Sequence, residues 1–264
     1  MDTVLEINNL CYQDFHNLNL SIKKGNLYFV VGGNRSGKTT LFRIVSSLIV
    51  TNNIVNCDGI VLNHDTRKMY IKKIGVVERV NKYSFNYKNV KEEMLYPLIN
   101  LGLTIDSAEK RINEILTVFN YQNILYEKIC NLNFKEKQLL LIMIALLHKP
   151  KVLLIDSVMA IFSQSERIMI MNVLKKLISE DNLTIINFTS NLDNIIDSNQ
   201  IIILADFKIV KETTYNEINN NDKLFYENNL EIPFMFDLVN KLKMYDVINE
   251  DYINMKDLVD DIWP

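Results

Sequence analysis

The 264-residue chain is poor in the residues that interrupt regular structure, with seven glycines and four prolines. That scarcity excludes collagen-like and long low-complexity chains. Its three cysteines, Cys11, Cys57 and Cys130, stand far apart and form no CxxC pair. Neither a disulfide framework nor a zinc site is expected, and free thiols in a reducing compartment are. The three histidines, His16, His64 and His148, share no ligand-like spacing. Neither sign of charge dominates: Lys and Arg number 29, Asp and Glu 32, and the formal net charge is -3. No basic field therefore argues for a nucleic-acid partner. Long apolar runs are missing too. The most apolar stretch, Leu139 to Leu147, is broken by His148-Lys149-Pro150-Lys151, well short of the roughly 20 residues a bilayer-spanning helix needs. The opening MDTVLEINNL carries two acids and no apolar signal core. Alanine stands only at 108, 145, 160 and 205, while Asn, Ile and Lys abound. We read this as AT-rich coding bias, which weakens any argument from a single Asn or Ile.

The chain is 48% hydrophobic and 23% charged, enough apolar mass for one large domain or one domain with an appendage. The first 80 or so residues read as β-rich. Val4 to Ile7 and Leu18 to Ile22 alternate, whereas Leu27-Tyr28-Phe29-Val30-Val31 is continuously apolar, as in a parallel strand buried on both faces. Helical periodicity follows over Val90 to Leu101, Ser107 to Phe119 and Lys135 to His148. Val152 to Ile155 is a second buried strand, Ser165 to Ile178 a helix, and Leu183 to Phe188 and Ile201 to Leu204 two further strands. After Lys211 the chain turns polar and helical. This alternation on both sides of a helical block predicts an α/β fold with an inserted helical subdomain.

Gly32-Gly33-Asn34-Arg35-Ser36-Gly37-Lys38-Thr39 is GxxxxGKT, placed between the apolar strand 27–31 and a predicted helix from Thr39 to Leu48. That context defines a Walker A phosphate-binding loop. Glycines let the backbone wrap so that its N–H groups and the helix N-terminus point at phosphate oxygens. Lys38 is expected to reach the β- and γ-phosphates, Thr39 to bind Mg²⁺, and Thr40 to meet the α-phosphate. The strand Val152-Leu153-Leu154-Ile155 ends in Asp156, the Walker B pattern that orients Mg²⁺. Strands 27–31 and 152–156 are expected to be parallel neighbours.

The order of these features resembles the ATP-binding subunits of ABC transporters, and the resemblance spans nearly the whole chain. It implies a P-loop NTPase (ABC ATPase) core with an N-terminal antiparallel β portion, a helical subdomain over about 85–150 and a helical C-terminal extension. The nucleotide-binding domain would cover 1–211 and the extension 212–264. Tyr12 matches the adenine-stacking aromatic, or is an ordinary half-buried tyrosine at a strand end. Lys73-Ile74-Gly75-Val76-Val77-Glu78 resembles the strand into the Q-loop. Leu132-Asn133-Phe134-Lys135-Glu136-Lys137-Gln138 stands at the signature, and Thr189-Ser190 followed by Asn191-Leu192-Asp193 at the switch. Within the family, the tail resembles energy-coupling factor ATPases, which drive uptake of vitamins and transition-metal ions. Its segments are Tyr215 to Ile218, Leu230 to Pro233, Leu238 to Leu242 and Met255 to Val259.

Five positions depart from the family pattern. The catalytic glutamate is Ser157, the switch histidine Ser190, the Q-loop glutamine Glu78 and the D-loop aspartate Ser163. Both glycines of the signature are lost, to Phe134 and Lys135. A serine hydroxyl cannot serve as a general base at neutral pH. Asn133 with Glu136 reads as a capping box for the following helix, so that helix can persist without a phosphate contact; alternatively, Lys135 supplies charge to a nucleotide in trans. Arg35 replaces a common glycine of the loop, and an added cation is compatible with phosphate binding.

The groups that grip ATP and Mg²⁺ persist, therefore, while those that activate water are gone. The resemblance then implies a hydrolysis-impaired subunit on the cytoplasmic face of the cell membrane. It would pair with a second, competent ABC ATPase subunit, and couple to integral membrane transporter subunits through the groove near Glu78 to Lys88. Two alternatives stand beside it: an active ATPase in which Glu78 substitutes as base, or a non-enzymatic assembly subunit.

Overall fold

The computed structural model describes residues 3–51, 54–190, 200–214, 232–250, 252 and 255–262, with 217, 225, 228 and 230 singly between them. These fall into two compact units, Met1–Asn26 with Thr39–Phe188, and Leu27–Lys38 with Thr189–Pro264.

In the first unit, β1 (Thr3–Tyr12) and β2 (Phe15–Lys23) form a hairpin. The alternating pattern of β2 buries Leu18, Leu20 and Ile22 and turns Asn19 and Ser21 outward, as expected of a strand wet on one face. β4 (Val55–Cys57) and β5 (Ile60–Val61) extend this antiparallel sheet in the order β2-β1-β4-β5. β6 (Ile74–Val77), β7 (Val152–Asp156) and β8 (Thr184–Thr189) are parallel. The apolar run of β7 is buried on both faces, and its two ladder neighbours are β6 and β8. The expectation that 27–31 flanks 152–156 is thereby overturned. An apolar run identifies a central parallel strand, but crossover connections decide which strand lies beside it.

A short helix α2 (Arg67–Tyr70) precedes β6; the helical block contains α3 (Val90–Asn100), α4 (Ile105–Val118) and α5 (Phe134–Leu146), and α6 (Gln164–Asp181) follows β7. Each of α3 to α6 lies within a few residues of its predicted span. α1 (Lys38–Val45) stops earlier than expected, because Ser47 takes a left-handed φ of 61°, a common helix terminator.

In the second unit, β3 (Leu27–Val31) pairs parallel with β9 (Gln200–Ala205), which pairs antiparallel with β10 (Lys208–Thr213). Asp206 and Phe207 turn between them at φ 45° and 59°, both positive as a type I′ hairpin turn requires. β10 replaces the polar helix expected from Lys211, since its hairpin partner satisfies a strand that its own sequence signals weakly. Beyond it, helices Phe234–Met244 and Met255–Ile262 share a cluster of Val239, Ile248 and Leu258. Tyr215, Asn216, Ile218 and Glu231 lie outside the described residues. Among the described residues no helix is long and apolar enough to cross a membrane.

Candidate phosphate-binding site

Five buried residues of β3 deliver the chain into the loop 32–37. Gly32 packs so tightly that a Cβ there would collide with the Leu204 carbonyl oxygen and stand 2.5 Å from Ser36 Oγ. Only glycine fits this approach. Gly37, at φ 100°, supplies the left-handed turn into α1, and Arg35 is also left-handed at 65°. Asn34 and Arg35 are exposed at the loop tip, while Ser36 is buried. The Phe207 amide of the β9–β10 turn donates to the Ser36 carbonyl at 3.1 Å, bracing the loop.

Lys38 Nζ donates to the carbonyls of Gly32 at 2.5 Å and Gly33 at 2.8 Å, and lies 3.3 Å from Ser36 Oγ. These three acceptors are neutral. Hydrogen bonds to an ionised acceptor are roughly twice as strong as neutral ones, which lets a phosphate oxygen compete for this donor. The cradle geometry fits a nucleotide phosphate: a backbone wrapped around a lysine, then the N-terminus of α1. Thr39 is exposed and Thr40 half-buried on the first turn of α1.

Asp156 ends β7 half-buried and accepts from Ser157 Oγ at 3.0 Å. Ser157 has a left-handed φ of 53°, held by its amide donating to the Phe188 carbonyl at 2.8 Å. Its hydroxyl proton is thus directed at the carboxylate, an orienting contact rather than base chemistry. Among the described residues no group of three or more metal-ligating side chains gathers. Mg²⁺ in nucleotide sites needs fewer, because substrate phosphates and water complete its shell. Thr39 and Asp156 are the residues of this chain that would hold it, with Glu78 a third candidate ligand.

Glu78 follows β6 with its side chain exposed. Its carbonyl accepts from Gln138 Nε2 at 3.0 Å, while Gln138 Oε1 accepts the Val80 amide at 2.9 Å. Gln138 is fully buried in α5. One side-chain amide therefore clamps the segment 78–80 to the helix of the signature. Sequence reasoning missed this role, and its signal is a glutamine directly before the apolar run Leu139–Leu146 of α5.

The signature segment is a helix cap. Leu132 is buried. Asn133 Oδ1 accepts the Glu136 amide at 3.0 Å and Glu136 Oε2 accepts the Asn133 amide at 2.8 Å, the reciprocal capping box expected. Phe134 is 43% exposed, with the Arg79 guanidinium 5.8 Å from its ring centre. Lys135 forms an ion pair within the chain, its Nζ 2.7 Å from Glu166 Oε2. The same oxygen accepts the Ser163 amide at 2.7 Å, in the capping box of α6. Lys135 and this capping box hold the Glu166 carboxyl down at about 2. Ser163, at the D-loop position, is that box's N-cap. Sequence reading placed Ser163 only at the D-loop position and missed both its capping box with Glu166 and the tie to Lys135.

Tyr12 is half-buried at the end of β1, opposite Phe15. Ser190 is exposed just after β8; Asn191, Leu192 and Asp193 lie outside the described residues. Cys11, Cys57 and Cys130 are free thiols. Burial pushes the Cys57 thiol up to about 12, so it is inert. His148 is half-buried, its Nε2 2.9 Å from the Ile74 carbonyl oxygen.

The ABC transporter family model matches residues 15–160. The energy-coupling factor transporter ATP-binding protein EcfA of Pediococcus pentosaceus is 29% identical over 243 residues, covering 89% of this chain and 87% of its own. EcfA1 of Oenococcus oeni is 26% identical, covering 98% and 97%. Among solved structures, cbiO1 of Clostridium perfringens, part of the ABC transporter complex cbiONQ, superposes with a TM-score of 0.77 at 21% identity, covering 91% of this chain and 100% of its own. An ATP-binding cassette solved as a dimer in a post-hydrolysis state with ADP and Pi superposes at 0.68 with 25% identity, covering 80% and 98%.

Proposed function

The chain belongs to the ABC transporter family, and from that premise we infer that it is the ATP-binding subunit of an energy-coupling-factor-type importer of vitamins or transition-metal ions, impaired in hydrolysis and paired with a competent second ATPase. Residues 1–211 serve as its nucleotide-binding domain, with a helical subdomain at about 85–150, and 212–264 as its C-terminal extension. It works at the cytoplasmic face of the cell membrane, attached through integral membrane subunits.

One contrast carries this reading. The loop that grips phosphate is intact around Lys38, with Thr39, Thr40 and Asp156 retained. The groups at the water-activating positions are spent on local structure. Ser157 Oγ donates to Asp156, Ser163 caps α6, and Lys135 is neutralised by Glu166. When bound, ATP brings the phosphates and Mg²⁺ the charge that offsets them; the chain's residues bind and orient this pair. By the family resemblance Tyr12, at the end of β1, would stack on the adenine, and Gly32, Asn34, Arg35, Ser36 and Gly37 would meet the phosphates.

Family sites are composite, one chain's Walker motifs facing the other's signature. A chain altered in both halves compromises both sites of a homodimer, which favours a heterodimer. ATP titration and turnover, measured on the chain with and without its partner ATPase, test the reading together. Binding without turnover, with turnover appearing in the mixed pair, is the expected result. Brisk turnover by the chain alone, abolished by Glu78→Gln, would replace this reading with an active ATPase using Glu78 as base. Binding with no turnover in either setting would leave an assembly subunit.

A further inference from the structure

A cavity of about 390 Å³ lies where the end of α3, the first turns of α4 and the chain leaving α5 meet, all in the first unit. Leu98, Leu101, Leu103 and Leu147 give it an apolar floor. Leu98 and Leu147 are buried, and Leu101 and Leu103 are half-buried. Its volume falls at the lower end of the roughly 300–1,000 Å³ of small-molecule sites, so it suits a compact ligand.

Most polar groups of the lining are committed to the fold. Ser107 Oγ accepts from Thr104 Oγ1 at 2.9 Å, and the Ser107 amide donates to that Thr104 oxygen in the N-cap of α4. Arg111 Nε and Nη2 donate to the Leu147 and Leu146 carbonyls at 2.9 and 3.1 Å, closing the C-terminal end of α5. Its Nη1 donates to Glu114 at 3.1 Å, which engages the carboxylate of the lining. His148 Nε2 faces the Ile74 carbonyl, and burial lowers its imidazole below the ordinary range, so the ring adds no charge at neutral pH.

Two cations remain. Lys110 and Lys149 are exposed on the lining, and neither is in an ion pair among the described residues. Lys149 is also a backbone outlier. It turns the chain just beyond α5 at a left-handed φ of 53°, its amide donating to the Leu146 carbonyl at 3.1 Å. Glycine is the usual residue for such a turn, since a side chain there costs stability. A lysine held where the backbone favours glycine points from strain to function.

We propose that this cavity is a binding site for a compact aliphatic carboxylate, its hydrocarbon on the four leucines and its carboxylate on Lys110 and Lys149. Charge-assisted hydrogen bonds are the strong ones, and the apolar floor beside them reduces their screening. A bare inorganic anion would leave the leucines uncovered, and an aliphatic cation would meet two like charges. None of these side chains belongs to the nucleotide site, so the inference stands apart from the transporter-subunit reading.

Leucine methyl spectra of the full chain, titrated with hexanoate, 1-hexanol, hexylammonium or inorganic phosphate, test it. Hexanoate should shift the Leu101, Leu103 and Leu147 methyls saturably and leave leucines elsewhere in place. Hexanol should bind about tenfold more weakly, having lost the charge-assisted contacts. Hexylammonium and phosphate should leave the three leucines unshifted at the same concentrations. Lys149→Gly should weaken hexanoate about tenfold without lowering the melting temperature, because glycine suits φ 53°. Lys110→Gln, on the exposed face of α4, should weaken it to a similar degree and provides the test if Lys149→Gly fails to fold. Hexanol or hexylammonium binding as tightly as hexanoate, phosphate shifting the same methyls, shifts spread over all leucines, or no binding at all would overturn the proposal. So would hexanoate affinity unchanged in both variants.

Discussion

Lys38 is expected to supply a large share of the phosphate affinity, because its ammonium lies within the loop against the Gly32 and Gly33 carbonyls. Lys38→Ala should weaken Mg-ATP binding by about 10- to 100-fold, the loss of one hydrogen bond to a charged group at roughly 1.5–3 kcal/mol. Calorimetric titration measures it, and unchanged binding would make the loop vestigial. A second residue-scale expectation concerns Glu166. Its carboxyl is held near 2 in the folded chain, against an ordinary value of 4.5. A depressed folded pKa stabilises above the unfolded value and is lost as pH falls through the folded one. The Lys135–Glu166 contribution should therefore be complete above about pH 4.5 and fade between there and about 2. Glu166→Gln should flatten the pH dependence of the denaturation midpoint in that window alone; an unaltered slope would show that the pair does not form in solution.

At the scale of elements, the segment at the signature position forms the N-terminal cap of α5. Its capping box was expected from Asn133 and Glu136, and both reciprocal bonds are made. Asn133→Ala should cost about 1 kcal/mol of stability and, if the segment is purely structural, leave ATP affinity untouched. The less visible device on the same helix is Gln138. Replacing it with Leu would leave the Glu78 carbonyl and the Val80 amide without their partner, a cost of about 1–3 kcal/mol for each group that remains buried. The segment after β6 should then loosen, which hydrogen exchange at the Val80 amide would register. A Gln138→Leu protein with unaltered exchange there would mean that the clamp is not what holds the strap.

For the whole molecule, the decisive expectation is that impairment is distributed and cannot be reversed at one position. Ser157→Glu alone should recover little turnover, since groups that act as a unit are not additive. Ser190 cannot replace an imidazole, Phe134 occupies the signature turn, and Lys135 is committed to Glu166. Restoration should need Ser157→Glu, Ser190→His and a signature with both glycines restored, assayed in the same chain. Family-like rates from Ser157→Glu by itself would show that Leu132-Asn133-Phe134-Lys135-Glu136 functions as it stands.

The local chemistry of this protein was determined by sequence alone. GxxxxGKT after an apolar strand names a phosphate loop, a five-residue run ending in Asp156 gives the Walker B pattern, and Asn133 with Glu136 names a cap. These signals are short-range, set by backbone geometry and side-chain type within a few residues. What lay beyond them needed tertiary structure because it joins residues distant along the chain. The neighbours of β7 are decided by crossovers and not by its apolar run, and β10 exists because β9 pairs with it. Lys135 meets Glu166 from 31 positions away, and Gln138 reaches back 58 positions to Val80. Lys82, Lys88, Lys128 and Lys137 line one groove from two separated segments, so their common field cannot be read from a net charge of -3. Folding gathers like charges that composition averages away.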